Sequence, residues 1–254
     1  AQAVLEGRIV LLTDNSPEAL IFPATLNSLF QTADDYYRNE RIVTFLRLIR
    51  YVAAFLALAL PGLYVAAATF HPQLLPGNLI RSMAEARNGV PFPTAAEVLL
   101  MELSFELLRE AGLRMPGPAG NTIGIVGGLI VGQAAVSANL VSPITVTVAA
   151  LTALGSFSIP NEELSEVFRL WKYGILLLGI CFGILGVMLG CFLLLMLMAE
   201  QESYGIPWLY PYVGGNLNER ADEKDSMFLA AARKRKRRPI FAKWGNRIRF
   251  RRKS

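Results

Sequence analysis

The order of apolar and polar positions divides the chain into blocks. Val4–Leu12 is rich in Val, Ile and Leu, Thr13-Asp14-Asn15-Ser16-Pro17 is a turn cluster, and Ala19–Pro23 is a second apolar run. This pattern predicts two short strands around a turn. Thr25 to Tyr37 sets Leu26, Leu29 and Phe30 at helical spacing and predicts a short amphipathic helix near a membrane surface. Tyr51 to Phe70 is a stretch of 20 residues without a charge. At about 1.5 Å per residue it reaches roughly 30 Å, enough for the hydrocarbon core of a bilayer. Pro61-Gly62 falls within this first span, about Ile42–Phe70, and is expected to kink it.

Three further apolar blocks follow a long connection. Thr122–Leu140 and Ile144–Ile159 are separated only by Val141-Ser142-Pro143, which predicts two spans in a tight helical hairpin. The fourth block, Tyr173 to about Ala199, has 27 residues and reads as one long span. Within the connection, Gly89-Val90-Pro91-Phe92-Pro93 is a rigid break. After it, Glu97–Ala111 has a strong helical pattern whose apolar stretch is too short to span unaided. The expected fold is an all-α polytopic membrane protein with about four transmembrane helices and an amphipathic or re-entrant helix. A short α/β remnant of a cytoplasmic domain precedes it over residues 1–40. The transmembrane domain occupies 41–200, and 201–254 forms a cytoplasmic basic tail. The start, Ala-Gln-Ala without Met, reads as a cut through a longer polypeptide.

Composition supports the membrane reading. Of the 254 residues 53% are hydrophobic and only 18% charged, below the roughly 25% charge of soluble domains. The charges are segregated: none lies between Arg114 and Glu162, and 14 of the 25 Lys and Arg residues follow residue 219. Five precede the uncharged stretch Tyr51–Phe70, so the positive-inside rule places both ends in the cytoplasm. Arg47 and Arg50, just before the first span, are positioned to reach lipid headgroups, as are Arg233, Lys234 and Arg235 in the tail. Nucleic-acid binding is the minority reading of that tail, since no nucleic-acid fold accompanies it.

Candidate chemistry is sparse. Cys181 and Cys191 are ten residues apart in an apolar run, on different helix faces, and read as buried thiols. His71 is the single histidine, at a membrane boundary. No metal spacing, phosphate loop or nucleophile–base set is present, so no cofactor, metal or catalytic role is expected. Gly124, Gly128 and Gly132 recur every four residues and form a smooth stripe on one helix face. Packing within the subunit and self-assembly both suit such a stripe. In the Glu97–Ala111 helix, Glu102, Glu106, Arg109 and Glu110 fall within about a quarter of the circumference. A narrow acidic stripe on an otherwise apolar helix is expected to face water. An amphipathic helix on the outer leaflet and a helix lining an aqueous vestibule both fit it.

Several motifs occur together in order. They include Val4-Leu5-Glu6-Gly7-Arg8-Ile9, Asp34-Asp35-Tyr36-Tyr37, Leu60-Pro61-Gly62-Leu63-Tyr64 and Gly89-Val90-Pro91-Phe92-Pro93. Leu100-Met101-Glu102-Leu103-Ser104-Phe105-Glu106 and the run from Ile125 through Gly132-Gln133-Ala134-Ala135-Val136 to Val141-Ser142-Pro143 continue the series. Over roughly residues 4–212 the chain resembles the A-subunit family of GerA-type spore germination receptors, which includes the stage V sporulation protein AF. The resemblance implies a multi-pass protein of the inner membrane of the bacterial spore. Its implied partners are a transporter-like B subunit, a lipoprotein C subunit and further copies of itself. It implies an oligomeric channel that releases monovalent cations at germination, with Glu102 and Glu106, flanked by Arg109 and Glu110, in the ion pathway. The alternative is a non-conducting scaffold that holds the nutrient-sensing partner. The basic tail after residue 232 lies outside the resemblance.

Overall fold

Helices dominate because the apolar blocks are long and rich in Leu and Ala, and most are separated by segments that carry Pro or Gly. The computed structural model describes residues 4, 7–15, 19–113, 119–213 and 225–229, and the side chains of these apart from residues 113, 119–126 and 129. The chain divides into two compact units. One comprises Ala1–Val52, Ile159–Leu164 and Leu193–Ser254; the other comprises Ala53–Ser158 and Ser165–Phe192.

In the first unit β1 (Ile9–Leu12) pairs antiparallel with β2 (Ala19–Phe22), Ile9 opposite Phe22 and Leu12 opposite Ala19. The two strands expected from the sequence are therefore present. The amphipathic helix expected over Thr25–Tyr37 is shorter. Helix α1 covers Leu26–Phe30, and a 3₁₀ turn covers Ala33–Tyr36. The break has a local cause: Gln31 is extended, and the Thr32 amide and hydroxyl turn to the Asp35 carboxylate at 3.3 and 2.9 Å instead of continuing the helix. Helix α2 (Glu40–Thr69) begins in this unit. Near the other end of the chain, β3 (Glu202–Ser203) and β4 (Ile206–Pro207) flank Tyr204 and Gly205, both at positive φ. That two-residue turn suits the twist of a hairpin, and glycine tolerates it without cost. The aromatic segment after it packs back onto the N-terminal part of the unit. The Trp208 carbonyl accepts from the Leu26 amide at 2.8 Å, and Tyr210 is buried.

The second unit contains the rest of α2, then α3 (Gly77–Ala86), α4 (Thr94–Leu113), α5 (Ala119–Ser137), α6 (Pro143–Phe157), most of α7 (Glu162–Phe182) and the start of α8 (Ile184–Glu200). Pro61 is accommodated inside α2, which continues through it. Helices α4, α5 and α6 pack around Met101, Ala135, Val141 and Ala149, while Val65, Val98 and Leu176 form a second core. The turn from α5 to α6 is short, as the Ser-Pro pair requires: Ser142 caps α6 and Pro143 is its first residue.

The fourth apolar block is not one helix. It breaks at Gly183, whose φ of +64° belongs to the left-handed region, and the Phe70 ring lies against that glycine. Beyond it α8 folds back along α7. A methyl group on Gly190 would stand 2.8 Å from Ile175 Cγ1, whereas one straight helix would hold those positions roughly 22 Å apart. Gly179 and Gly62 also meet closely, a methyl on the former lying 3.1 Å from the Gly62 carbonyl oxygen. Among the described residues one helix, Glu40–Thr69, is long and apolar enough to cross a membrane, and Pro143–Phe157 and Ile184–Glu200 are shorter apolar helices.

Candidate functional site

The polar groups of the second unit gather along α4. Glu97 opens its first turn and is 1% exposed. One carboxylate oxygen accepts from the Ser142 amide at 2.8 Å and from the Thr145 hydroxyl at 3.0 Å; the other accepts from Arg87 Nε at 3.2 Å. Glu97 thus fastens the turn between α5 and α6 to α4. Tyr64 reaches the same threonine, with hydroxyl oxygens 3.3 Å apart.

Farther along, the predicted acidic stripe meets cations from α7. Lys172 Nζ donates to Glu102 Oε2 at 2.6 Å, with the two side chains 7% and 2% exposed. One turn on, Arg169 donates to Glu106 and also stands 3.6 Å from Glu166 on its own helix. A third turn on, Arg109 donates to the Ser156 hydroxyl at 2.8 Å and lies over the Phe157 ring at 4.7 Å. Glu110 is exposed. Glu102 therefore does not face water as expected; a buried lysine covers it. The pairing follows from spacing. Glu102 and Glu106 are four apart on α4, Arg169 and Lys172 three apart on α7, and each set shares one helix face.

This ladder forms one side of a cavity of about 800 Å³. Glu102, Glu106, Arg109, Arg169 and Lys172 supply its charges. Phe105, Val136, Val146, Leu154 and Phe157 supply much of its apolar lining, and Gln133 and Ser137 add neutral polar groups. Gly128 and Gly132, two of the predicted stripe, are also lining residues. A methyl on Gly128 would lie 3.0 Å from the Phe105 ring, and one on Gly132 would lie 3.1 Å from Val146. Their smooth face is thus occupied by neighbours within the chain. Gly124 belongs to α5, but its surroundings lie outside the described residues, as do Arg233, Lys234 and Arg235.

The two arginines expected at headgroups belong to a network in the first unit. Arg47 is 1% exposed; it donates to Asp35 at 3.2 Å, to Asp225 at 3.1 Å and to the Ser226 carbonyl at 2.7 Å. Arg50 grips both oxygens of Asp35 at 2.8 and 3.0 Å. Their guanidinium groups are held by protein carboxylates, which is why they do not extend freely from the helix. Burial alone raises the Asp35 carboxyl pKa. Hydrogen bonds from Arg50 and Thr32 outweigh it and hold the group below its ordinary value of 3.8. Residues 225–229 complete the network. Asn27 and Gln31 donate to the Asp225 carbonyl, Tyr36 to its carboxylate, and the Leu229 amide to Thr44.

Lys172, Arg169, Glu97 and Asp225 were not singled out by sequence. A signal existed for two of them: Arg169 and Lys172 are the cations nearest the start of an apolar block, with a spacing that matches the Glu pair.

The described residues are predominantly helical, with one helix long and apolar enough to cross a membrane and ion pairs set among apolar side chains. The comparisons give the family. Residues 1–241 match the model of the Bacillus/Clostridium GerA spore germination proteins, and the chain belongs to that family. It is 41% identical over 231 residues to the uncharacterized membrane protein YfkQ of Bacillus subtilis (strain 168), covering 91% of this chain and 44% of that protein. Spore germination protein GerLA of Bacillus cereus is 41% identical over 209 residues, 82% of this chain and 42% of its own length. Spore germination protein A1 of Bacillus subtilis (strain 168) is 40% identical over 211 residues, 83% and 44% respectively. The chain thus spans less than half the length of these relatives. No solved structure matches it.

Proposed function

We propose that the chain is the membrane-embedded part of a spore germination receptor subunit that assembles with copies of itself into a cation channel. Its place is the inner membrane of the spore, crossed several times, beside a transporter-like B subunit and a lipoprotein C subunit. The observation that carries this reading is the set of ionisable groups gathered on one side of a cavity among apolar helices. Ionisable groups at membrane depth are costly and are retained where they serve a pathway or a partner. The Glu102–Lys172 and Glu106–Arg169 pairs correspond to a closed arrangement; an open one exposes the two carboxylates to cations. Family membership and the germination relatives support the same reading.

Planar-bilayer conductance of the full-length protein in a potassium gradient tests it. Discrete cation-selective openings are expected, with selectivity reduced when Glu102→Gln and Glu106→Gln are combined. Openings with unchanged selectivity in that double variant remove the two residues from the pathway.

A second reading, a non-conducting scaffold for the nutrient-sensing partner, draws on the pairing itself. Two carboxylates and three cations line the cavity, so its charges do not sum to a cation-attracting surface. A silent bilayer from verified oligomers, with and without the partner subunits, favours the scaffold.

A further inference from the structure

The cavity of the second unit has two chemical faces and two unused polar atoms. Glu102 lines it and is 2% exposed, yet its Oε1 accepts no hydrogen bond. Thr152 is a neighbour, but its hydroxyl hydrogen goes to the Val148 carbonyl at 2.9 Å. Arg169 lines the same cavity, and its Nε donates to nothing. A buried acceptor and a buried donor left over are uncommon, because each carries its full desolvation cost. The remaining capacity of both residues is already used in ion pairs, Glu102 with Lys172 and Arg169 with Glu106. A charged ligand would have to break one of those pairs. A neutral group that both donates and accepts would not.

The rest of the lining sets the body of the ligand. Phe105, Val136, Val146, Leu154 and Phe157 are apolar, and about 800 Å³ is within the range of small-molecule sites, roughly 300–1,000 Å³. We propose that this cavity is a binding site for a neutral amphiphile with an apolar body and a hydroxyl or carboxamide head, the head meeting Glu102 and Arg169. Both atoms lie just beneath the cavity wall, so the head reaches them by a small shift of the lining side chains that keeps Glu102 Oε2 on Lys172. The proposal concerns occupancy and stands whether or not the chain conducts.

The test is photolabelling of the full-length protein in phosphatidylcholine nanodiscs with a diazirine-bearing octanol, the label being located by mass spectrometry. Label is expected on the cavity-lining segments around Phe105, Val146 and Leu154, and excess unlabelled octanol should remove it. A diazirine octane without the hydroxyl should label these positions about tenfold less, the effect of one charge-assisted hydrogen bond. Ala150→Phe should abolish labelling by filling the space. Replacing the pair together, Glu102→Gln with Lys172→Met, should weaken it without leaving a buried lone charge. Diacylglycerol in the disc separates two sources of the same chemistry: competition assigns the site to a bilayer lipid, and no competition assigns it to a diffusible alcohol. Equal labelling by the octane, or label spread over outward residues such as Leu185 and Phe192 and indifferent to competition, overturns the proposal without touching the channel reading.

Discussion

Lys172 Nζ lies 2.6 Å from Glu102 Oε2, and both side chains are almost entirely removed from solvent. This contact joins α7 to α4 by opposite charges in a low-dielectric setting. Truncating one partner leaves the other charged and buried, at a cost of about 3–5 kcal/mol. Replacing both by apolar groups of like volume is close to neutral. Lys172→Met alone is therefore expected to lower unfolding free energy markedly, and Glu102→Leu with Lys172→Met to restore most of it. Reversible detergent denaturation of the unsubstituted protein, Lys172→Met, Glu102→Leu and the double variant reads this directly. Simple additivity of the single effects would sink the pairing.

Asp35 makes the first unit acid-sensitive. Its pKa lies below 3.8 in the folded chain. The unfolded state binds the proton more readily, so stability from this group is full above about pH 4 and is lost as pH falls through the folded value. Asp35→Asn should remove that dependence and weaken the chain at neutral pH. Denaturant midpoints at pH 7 and near pH 3, for both proteins, provide the comparison. An unchanged pH slope in the variant assigns the acid sensitivity to another group.

Glu97 is expected to control the turn between α5 and α6. Glu97→Gln keeps the shape but removes the charge from three hydrogen bonds, a loss of about 1.5–3 kcal/mol. Hydrogen exchange should speed up at residues 138–142 more than in α2. Uniform exchange across both segments would show that the turn does not depend on this carboxylate.

Gly186 tests the fold-back at Gly183. A methyl group there would overlap the Leu178 carbonyl oxygen, which is backbone and cannot swing aside. Gly186→Ala should cost about 1–3 kcal/mol or more. Gly77→Ala, where a methyl meets nothing within 4 Å, should be near neutral. Engineered cysteines at Ile175 and Gly190 should crosslink in a background lacking Cys181 and Cys191. Failure to crosslink points to one continuous helix.

The sequence by itself determined the helical blocks, the two N-terminal strands and the family. These depend on local periodicity, turn residues and ordered motifs that one stretch of chain carries alone. It also placed Glu102, Glu106 and Arg109 on one helix face. The tertiary structure decided what that face meets. Arg169 and Lys172 lie more than 60 residues away in sequence, and only packing brings them to the carboxylates. The same holds for Arg47, whose partner Asp225 follows 178 residues later. The break at Gly183 escaped the apolar pattern because Leu and Ile on both sides continue the hydrophobic run. A single left-handed residue, held against Phe70, reverses the chain there, and hydropathy does not report backbone direction.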